Sequence, residues 1–127
     1  MNYRVLIVDD SPLLRATAKR AVLQAGVPPE QIREAANGRD ALEALAKAPA
    51  DIVLLDINMP VMDGYQFVEQ KAKDHSLAGV KVALVTTEGN KKRLARMTEL
   101  GVTHYLRKPF EPEELRALVG ELFQAGK

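Results

Sequence analysis

Cysteine and tryptophan are absent from this chain, and histidine occurs only at His75 and His104. Without cysteine, disulfide bonds and thiolate metal sites are excluded, and a reducing compartment is compatible with the protein. Two histidines are too few for a histidine-rich metal site, and we assign neither of them a role. These absences exclude the disulfide-stapled and thiolate-metal classes of small protein.

An excess of charge of one sign is also missing, because 18 lysines and arginines face 17 acidic residues, for a formal net charge of +1. Nucleic-acid binding needs a concentrated basic patch, which this balance does not indicate. The apolar run near the start ends at Asp9 and is too short for a signal peptide or a membrane span. We therefore expect a cytoplasmic protein that contacts neither nucleic acid nor membrane.

The chain does contain short apolar runs that alternate with helical patterns. Its 127 residues fit one domain with a single core. The runs at 5–8, 52–55 and 80–85 are rich in β-branched residues, as strands buried on both faces are. The weaker runs at 31–35 and 102–106 are polar or mixed, and they suit the edges of a sheet.

Residues that start or end helices separate these runs. Ser11 and Pro12 suit the start of a first helix that Gly26 closes. The other helices are bounded by Asn37 and Pro49, opened by Asp63 and Gly64, closed by Gly101, or begun by the acidic stretch at 111–114. Five β–α units predict an α/β fold, a doubly wound five-stranded parallel sheet of order 2-1-3-4-5 with five helices, in one domain over residues 1–127.

Polar residues follow the predicted strands at the end where such sheets bind ligands. Asp9 and Asp10 follow the first strand, Asp56 the third, Thr86 the fourth and Lys108 the fifth. Three carboxylates close together repel one another, and Mg²⁺, which takes oxygen ligands octahedrally, is the usual remedy. A lysine and a hydroxyl beside them suit a charged, oxygen-rich ligand.

Each of these residues also has a purely structural interpretation. The adjacent aspartates could favour the start of the first helix, and Asp56 could be a turn residue. Thr86 taken alone suits a structural role, and Lys108 taken alone suits the surface. Their coincidence favours a shared site, because independent accidents rarely place a metal cage, an acceptor, a hydroxyl and a cation at the ends of successive strands.

Several motifs resemble those of response-regulator receiver domains. They are Val8-Asp9-Asp10-Ser11, the run LDINMPVMDG from Leu55 to Gly64, Val85-Thr86, Tyr105, and Lys108-Pro109-Phe110. The resemblance covers essentially the whole chain and is strongest to the single-domain CheY-like type, with no attached output domain. It implies a phosphorylation-activated switch of a two-component system, with chemotaxis or motility as candidate pathways.

The resemblance also implies a role for each acidic position. Asp56 would accept a phosphoryl group from a histidine kinase or phosphotransfer protein. Mg²⁺ would be bound directly by Asp10 and Asp56, by Asp9 largely through water, and by the backbone carbonyl of Asn58.

The remaining motif positions would respond to the phosphoryl group. Lys108 would pair with its oxygens, beside a cis peptide bond between Lys108 and Pro109. Thr86 would move to bond it, and Tyr105 would turn inward behind Thr86. A monomer would then signal through the face formed by the segment from Lys91 to Leu106 and the last helix. A basic cluster at 91–96 suits an acidic partner there, although it also suits a solvated helix face.

Three polar positions leave the lifetime of the phosphoryl group open. A small residue usually follows the switch threonine, but this chain has Thr87, which could slow access to Asp56. In contrast, Asn58 and Glu88 match the polar pair of CheY-like proteins.

Two other functions are compatible with an aspartate at the end of a strand, and the sequence opposes both. A receiver fold that has lost phosphorylation is opposed by the intact set of carboxylates, hydroxyl and lysine. A phosphatase of the aspartyl-phosphate kind would carry a second aspartate where Asn58 stands, and it would need a cap domain. We expect no enzymatic activity beyond the chain's own phosphoryl transfer and autodephosphorylation.

Overall fold

A computed structural model describes residues 3–125 of the chain. Its strands are β1 (Val5–Val8), β2 (Ile32–Ala35), β3 (Ile52–Leu55), β4 (Lys81–Thr86) and β5 (His104–Arg107). Its helices are α1 (Pro12–Gln24), α2 (Gly38–Lys47), α3 (Gly64–Lys73), α4 (Lys91–Glu99) and α5 (Pro112–Ala125). The strands form one parallel sheet in the order β2-β1-β3-β4-β5, so the predicted fold is confirmed.

The helix starts follow the capping residues read from the sequence. The side chain of Ser11 accepts a hydrogen bond from the Leu14 amide, with Pro12 at the first position of α1. Asn37 caps α2 through the Asp40 amide. Asp63 forms a capping box with Gln66 at α3, so each side chain bonds the other residue's backbone amide. These caps fix where α1, α2 and α3 leave the carboxyl ends of their strands.

One boundary near the fifth strand differs from that expected. The fourth helix ends at Glu99 and is closed by Gly101, as expected, because Gly101 has the positive φ of 104° that a residue just past a helix end often adopts. The fifth strand begins at His104 rather than at Val102. The Val102 amide still donates to the Met97 carbonyl at 3.0 Å, so it belongs to the turn that closes α4.

The core lies on both faces of the sheet, as a doubly wound fold requires. On one face, alternate residues of β1 and β3 pack against α1 and α5, with Leu115, Val119 and Leu122 buried there. On the other face they pack against α2, α3 and α4, with Phe67 and Met97 buried. All residues of β1 and β3 are buried, which explains why these two strands read as continuous apolar runs.

Candidate functional site

The register of the sheet brings the polar strand-end residues together. Val8 of β1 is paired with Leu55 of β3, so the residues that follow them, Asp9 and Asp56, emerge side by side. β4 ends at Thr86, whose carbonyl accepts a hydrogen bond of 2.9 Å from the Lys108 amide just past β5. The sheet therefore delivers two carboxylates, a hydroxyl and an ammonium to one edge.

Asp9, Asp10 and Asp56 form a cluster that could hold a metal ion. Each offers a carboxylate oxygen, and these oxygens all lie within 4.8 Å of one another. Asp9 and Asp56 are buried, whereas Asp10 is exposed and borders solvent. An all-oxygen set with one open side fits a hard divalent cation that keeps part of its water shell.

Lys108 is the cation of the site and lies against both buried carboxylates. Its Nζ is 2.7 Å from Asp9 Oδ2 and 3.7 Å from Asp56 Oδ1, and its side chain is only 11% exposed. This partial burial means that the ion pairs are weakly screened by salt and water. The peptide bond between Lys108 and Pro109 is cis.

The environment of Asp56 combines burial with charge. Burial raises the pKa of the Asp56 carboxyl above its ordinary value, and the ammonium of Lys108 opposes that shift. The neighbouring carboxylate of Asp9 raises it further. Asp56 Oδ1 also accepts a hydrogen bond of 2.8 Å from the Ile57 amide, which fixes the orientation of the carboxylate. The side chain is therefore a held, poorly hydrated carboxylate beside a fixed positive charge.

Thr86 is fully buried next to Asp56, and its hydroxyl oxygen lies within reach of two amides. The Ile57 amide is 3.4 Å from Thr86 Oγ1, and the Glu88 amide is 3.3 Å from it. Both hydrogen bonds are long for N–H···O geometry, so each holds the hydroxyl weakly. A stronger acceptor near Asp56 could therefore draw the Thr86 hydroxyl away from these amides at little cost.

Asn58 and Thr87 lie on the solvent side of this pocket and contact each other. The Asn58 side-chain amide donates to Thr87 Oγ1 at 3.3 Å, and both residues are exposed. The β-branched residue noted in the sequence thus joins a polar contact across the opening beside Asp56.

Tyr105 lies outside the pocket in this structure. Its side chain is 41% exposed, and its hydroxyl donates a hydrogen bond of 2.6 Å to the Glu88 carbonyl. The inward position expected behind Thr86 is therefore not the one observed in this state. Glu88 instead links the loop after β4 to the ring of Tyr105.

The loop between β3 and α3 approaches the acceptor closely and is locally strained. A Cβ on Gly64 would lie 2.6 Å from the Asp56 carbonyl oxygen, so only glycine allows α3 to start there. Val61 has a positive φ of 68° and sits in a tight turn closed by a 2.7 Å hydrogen bond from the Met62 amide to the Pro60 carbonyl. A β-branched residue is disfavoured in this conformation.

Arg15 is a site residue that the sequence reading missed. Its Nη1 donates to the Asp9 carbonyl at 2.7 Å, and its Nε pairs with Glu34 Oε1 at 3.0 Å. The arginine therefore holds the backbone between Asp9 and Asp10 through the Asp9 carbonyl. Its position one turn into α1 carries no sequence signal that separates it from the other arginines of the chain.

Only some of the cations in the basic cluster at the start of α4 are without contacts to neighbouring side chains. Lys91 and Lys92 are exposed, whereas the Arg93 guanidinium lies 5.2 Å from the centre of the Tyr65 ring. Arg96 pairs with Glu69 on α3 and with Glu99 on α4, each at 3.3 Å. The two arginines thus contact neighbouring side chains, and the two lysines are the cations left facing outward on this helix.

A surface cleft of about 730 Å³ lies at the opposite end of the sheet, between the ends of α3 and α4. Both histidines, His75 and His104, line it together with Lys71. It is remote from the carboxylate cluster, so it belongs to a different part of the molecule.

Among the residues described, no helix has both the length and the apolar character required to span a membrane.

Comparison with known proteins places this geometry in a family. The response regulator receiver domain family matches residues 5–120, which is most of the chain. The chain belongs to this family, and its function is phosphorylation-dependent two-component signalling.

Individual relatives include both free-standing and longer proteins. The chain is 33% identical to the chemotaxis protein CheY1 of Helicobacter pylori over 114 residues, which cover 89% of this chain and 90% of the relative. It is 31% identical to the probable transcriptional regulator ycf29 of Porphyra purpurea, covering 96% of this chain but 57% of that protein. The solved structure of CheY4 from Vibrio cholerae aligns with a TM-score of 0.84 at 32% identity, covering 96% of this chain and 99% of that one.

Proposed function

We propose that this chain is a receiver that accepts one phosphoryl group on Asp56 and relays its presence to the face formed by α4, β5 and α5. The observation that carries the proposal is the arrangement around Asp56. Its buried carboxylate lies beside the Lys108 ammonium and within a cluster of three carboxylates. In-line phosphoryl transfer depends mainly on positioning and charge neutralisation, which these groups supply.

The proposed roles in phosphoryl transfer divide between holding and neutralising. Asp9, Asp10 and Asp56 offer the carboxylate oxygens that would hold Mg²⁺, with the backbone carbonyl of Asn58 as a further ligand. When bound, Mg²⁺ would neutralise phosphoryl oxygens during the transfer. Lys108 keeps its ammonium at the acceptor and can pair with a phosphoryl oxygen there.

The proposed switch couples the weakly held hydroxyl of Thr86 to the exposed ring of Tyr105. Thr86 accepts only two long hydrogen bonds, so a phosphoryl oxygen on Asp56 offers its hydroxyl a stronger partner. Movement of Thr86 would vacate space behind it, into which the exposed ring of Tyr105 can turn. These contacts exist only with the phosphoryl group present, as a two-state switch requires.

The proposed partners follow from the family and from surface charge. The phosphodonor is a histidine kinase or a phosphotransfer protein, and the output partner is a protein with an acidic segment that meets Lys91 and Lys92. Relatives named as chemotaxis proteins support a role in chemotaxis or another motility pathway. We further propose a cytoplasmic monomer, one receiver domain over residues 1–127, with no enzymatic activity beyond its own phosphoryl transfer and autodephosphorylation.

Two measurements test this proposal. Acetyl phosphate with Mg²⁺ should add a single phosphoryl group, seen by intact mass, and beryllofluoride with Mg²⁺ should shift amide resonances from Thr86 to Leu106. Failure of both would indicate a receiver fold that has lost phosphorylation. Resonance shifts confined to α1 would instead mean that the output face has been misplaced. Turnover of a simple phosphomonoester would favour the phosphatase.

A further inference from the structure

The hydroxyl of Tyr65, in the first turn of α3, is buried and has no hydrogen-bond partner among the residues described. A buried hydroxyl without a partner is unfavourable, and such groups are uncommon in folded proteins. The ring is itself held in place, because the Arg93 guanidinium lies 5.2 Å from its centre. The unpaired hydroxyl is therefore out of contact with solvent, on a ring that a neighbouring cation helps to hold.

The acidic group that acts on this hydroxyl is the carboxylate of Glu88. Burial raises the pKa of the Tyr65 hydroxyl, and the negative charge of Glu88 adds to that shift. The hydroxyl therefore keeps its proton and remains a hydrogen-bond donor. The carboxylate is close enough to act on the hydroxyl, but the two groups do not meet the geometry of a hydrogen bond in this state. Its Oε1 accepts instead from the Asn90 amide at 3.0 Å.

The backbone of Glu88 is held in this state by the two residues proposed to switch. Its amide donates to Thr86 Oγ1 at 3.3 Å, and its carbonyl accepts from the Tyr105 hydroxyl at 2.6 Å. If Thr86 turns toward a phosphoryl group and Tyr105 turns inward, both hydrogen bonds are lost together. Glu88 is then the residue most directly released by the switch.

We propose that Tyr65 is a positioning residue of the phosphorylated state, in which its hydroxyl donates a hydrogen bond to the Glu88 carboxylate. The inference builds on the proposed switch and adds a residue on α3 to it. The hydroxyl is unsatisfied before phosphorylation and satisfied afterwards, so its contribution favours the activated form. The same contact fixes the loop from Thr86 to Asn90 in its new position.

Tyr65→Phe tests this inference with two readouts of opposite sign. Removing an unsatisfied hydroxyl should raise the midpoint of thermal unfolding of the unmodified protein. Losing a hydrogen bond to a carboxylate in the activated form should weaken the apparent affinity for beryllofluoride with Mg²⁺ by about tenfold, followed by NMR. A residue with a merely structural role would not change the two quantities in these directions.

Tyr3→Phe is the matched control, because the Tyr3 hydroxyl already donates to the Phe123 carbonyl at 2.7 Å, far along the chain from the site. This variant should lower the unfolding midpoint and leave the beryllofluoride affinity unchanged. Glu88→Ala should abolish the effect of Tyr65→Phe on that affinity in the double variant, since the partner is then gone.

The outcomes distinguish a failure of the proposed switch from a failure of the role of Tyr65. If the wild-type protein does not respond to beryllofluoride, the proposed switch fails and the role of Tyr65 fails with it. If the wild type responds and Tyr65→Phe binds beryllofluoride equally well, the switch stands and the role of Tyr65 is wrong. Equal effects of Tyr65→Phe with and without Glu88 would also overturn it.

Discussion

The strands under the acidic cluster and the region around α4 and β5 are packed very differently. Every residue of β1 and β3 is buried, whereas no residue of β5 is, and α4 buries only Met97. The acceptor Asp56 thus follows a fully buried strand, while Tyr105 and helix α4, which are expected to respond, lie where fewer buried side chains hold them. Lightly packed regions open or move at low free-energy cost. The difference teaches that one region is built to position charge and the other to move when that charge changes.

The largest expected effect comes from removing the acceptor itself. Asp56→Asn should lose all phosphorylation by acetyl phosphate, measured by intact mass. It should also raise the midpoint of thermal unfolding in metal-free buffer, because burial of the ionised carboxylate opposes folding. Retention of a stable, acid-labile phosphate at a comparable rate would mean that another residue is the acceptor.

The same variant carries a pH signature. The folded protein holds the Asp56 proton to a higher pH than the unfolded chain, whose aspartates titrate near the ordinary value of 3.8. The Asp56 contribution therefore makes wild-type stability fall as pH rises from about 4 through the raised pKa. Asp56→Asn should flatten that part of the profile in urea unfolding experiments, and an unchanged slope would contradict the burial argument.

Lys108→Ala should uncouple the response of α4 and β5 from the group bound at Asp56. The chain should still fold, although two buried carboxylates lose their cation and the pKa of Asp56 rises further. Beryllofluoride should then no longer shift the amides of α4 and β5, because the phosphoryl charge has no fixed partner. Lys73→Ala, an exposed lysine at the end of α3, is the control and should behave as wild type. Normal output from Lys108→Ala in cells would disprove the role.

Met97→Ala tests whether α4 depends on its one buried side chain. We expect a loss of about 3 kcal/mol in the free energy of unfolding, typical of truncating a buried methionine. Leu94→Ala, at a half-buried position of the same helix, should cost clearly less. Urea denaturation measures both. If the two substitutions cost the same, α4 is held mainly by its polar contacts to α3 and the contrast in packing has been overstated.

The smallest expected effect concerns strain in the loop beside the acceptor. Val61→Gly should stabilise the protein by about 1 kcal/mol, because glycine adopts the positive φ at this position without the penalty of a β-branched side chain. Val61→Ala keeps a Cβ and should gain less. Equal stability of all three proteins in urea would show that the turn stores no appreciable strain.

The sequence was sufficient to predict the order of the strands in the sheet and the residues that meet at its edge. Strands 5–8 and 52–55 were predicted at their observed bounds, because a strand buried on both faces is apolar at every position. The helix starts were equally clear, since Ser11, Asn37 and Asp63 cap through local hydrogen bonds. The start of the fifth strand was misplaced because the Val102 amide is taken by α4, which is a contact of the folded turn.

Other features were decided only when distant segments met. Arg15 reaches the Asp9 carbonyl, and the Tyr65 hydroxyl is left without a partner among the residues described. Neither has a local signal, because each depends on what another element places beside it. Gly64 could be read from the sequence as the start of a helix, but the close approach of α3 to Asp56 that requires it could not. The sequence by itself determined the elements, their order and the chemical groups at the acceptor, through periodicity and capping that act over a few residues. Tertiary structure alone decided the distances among those groups, the burial that raises the Asp56 pKa, and which residues were left free to move.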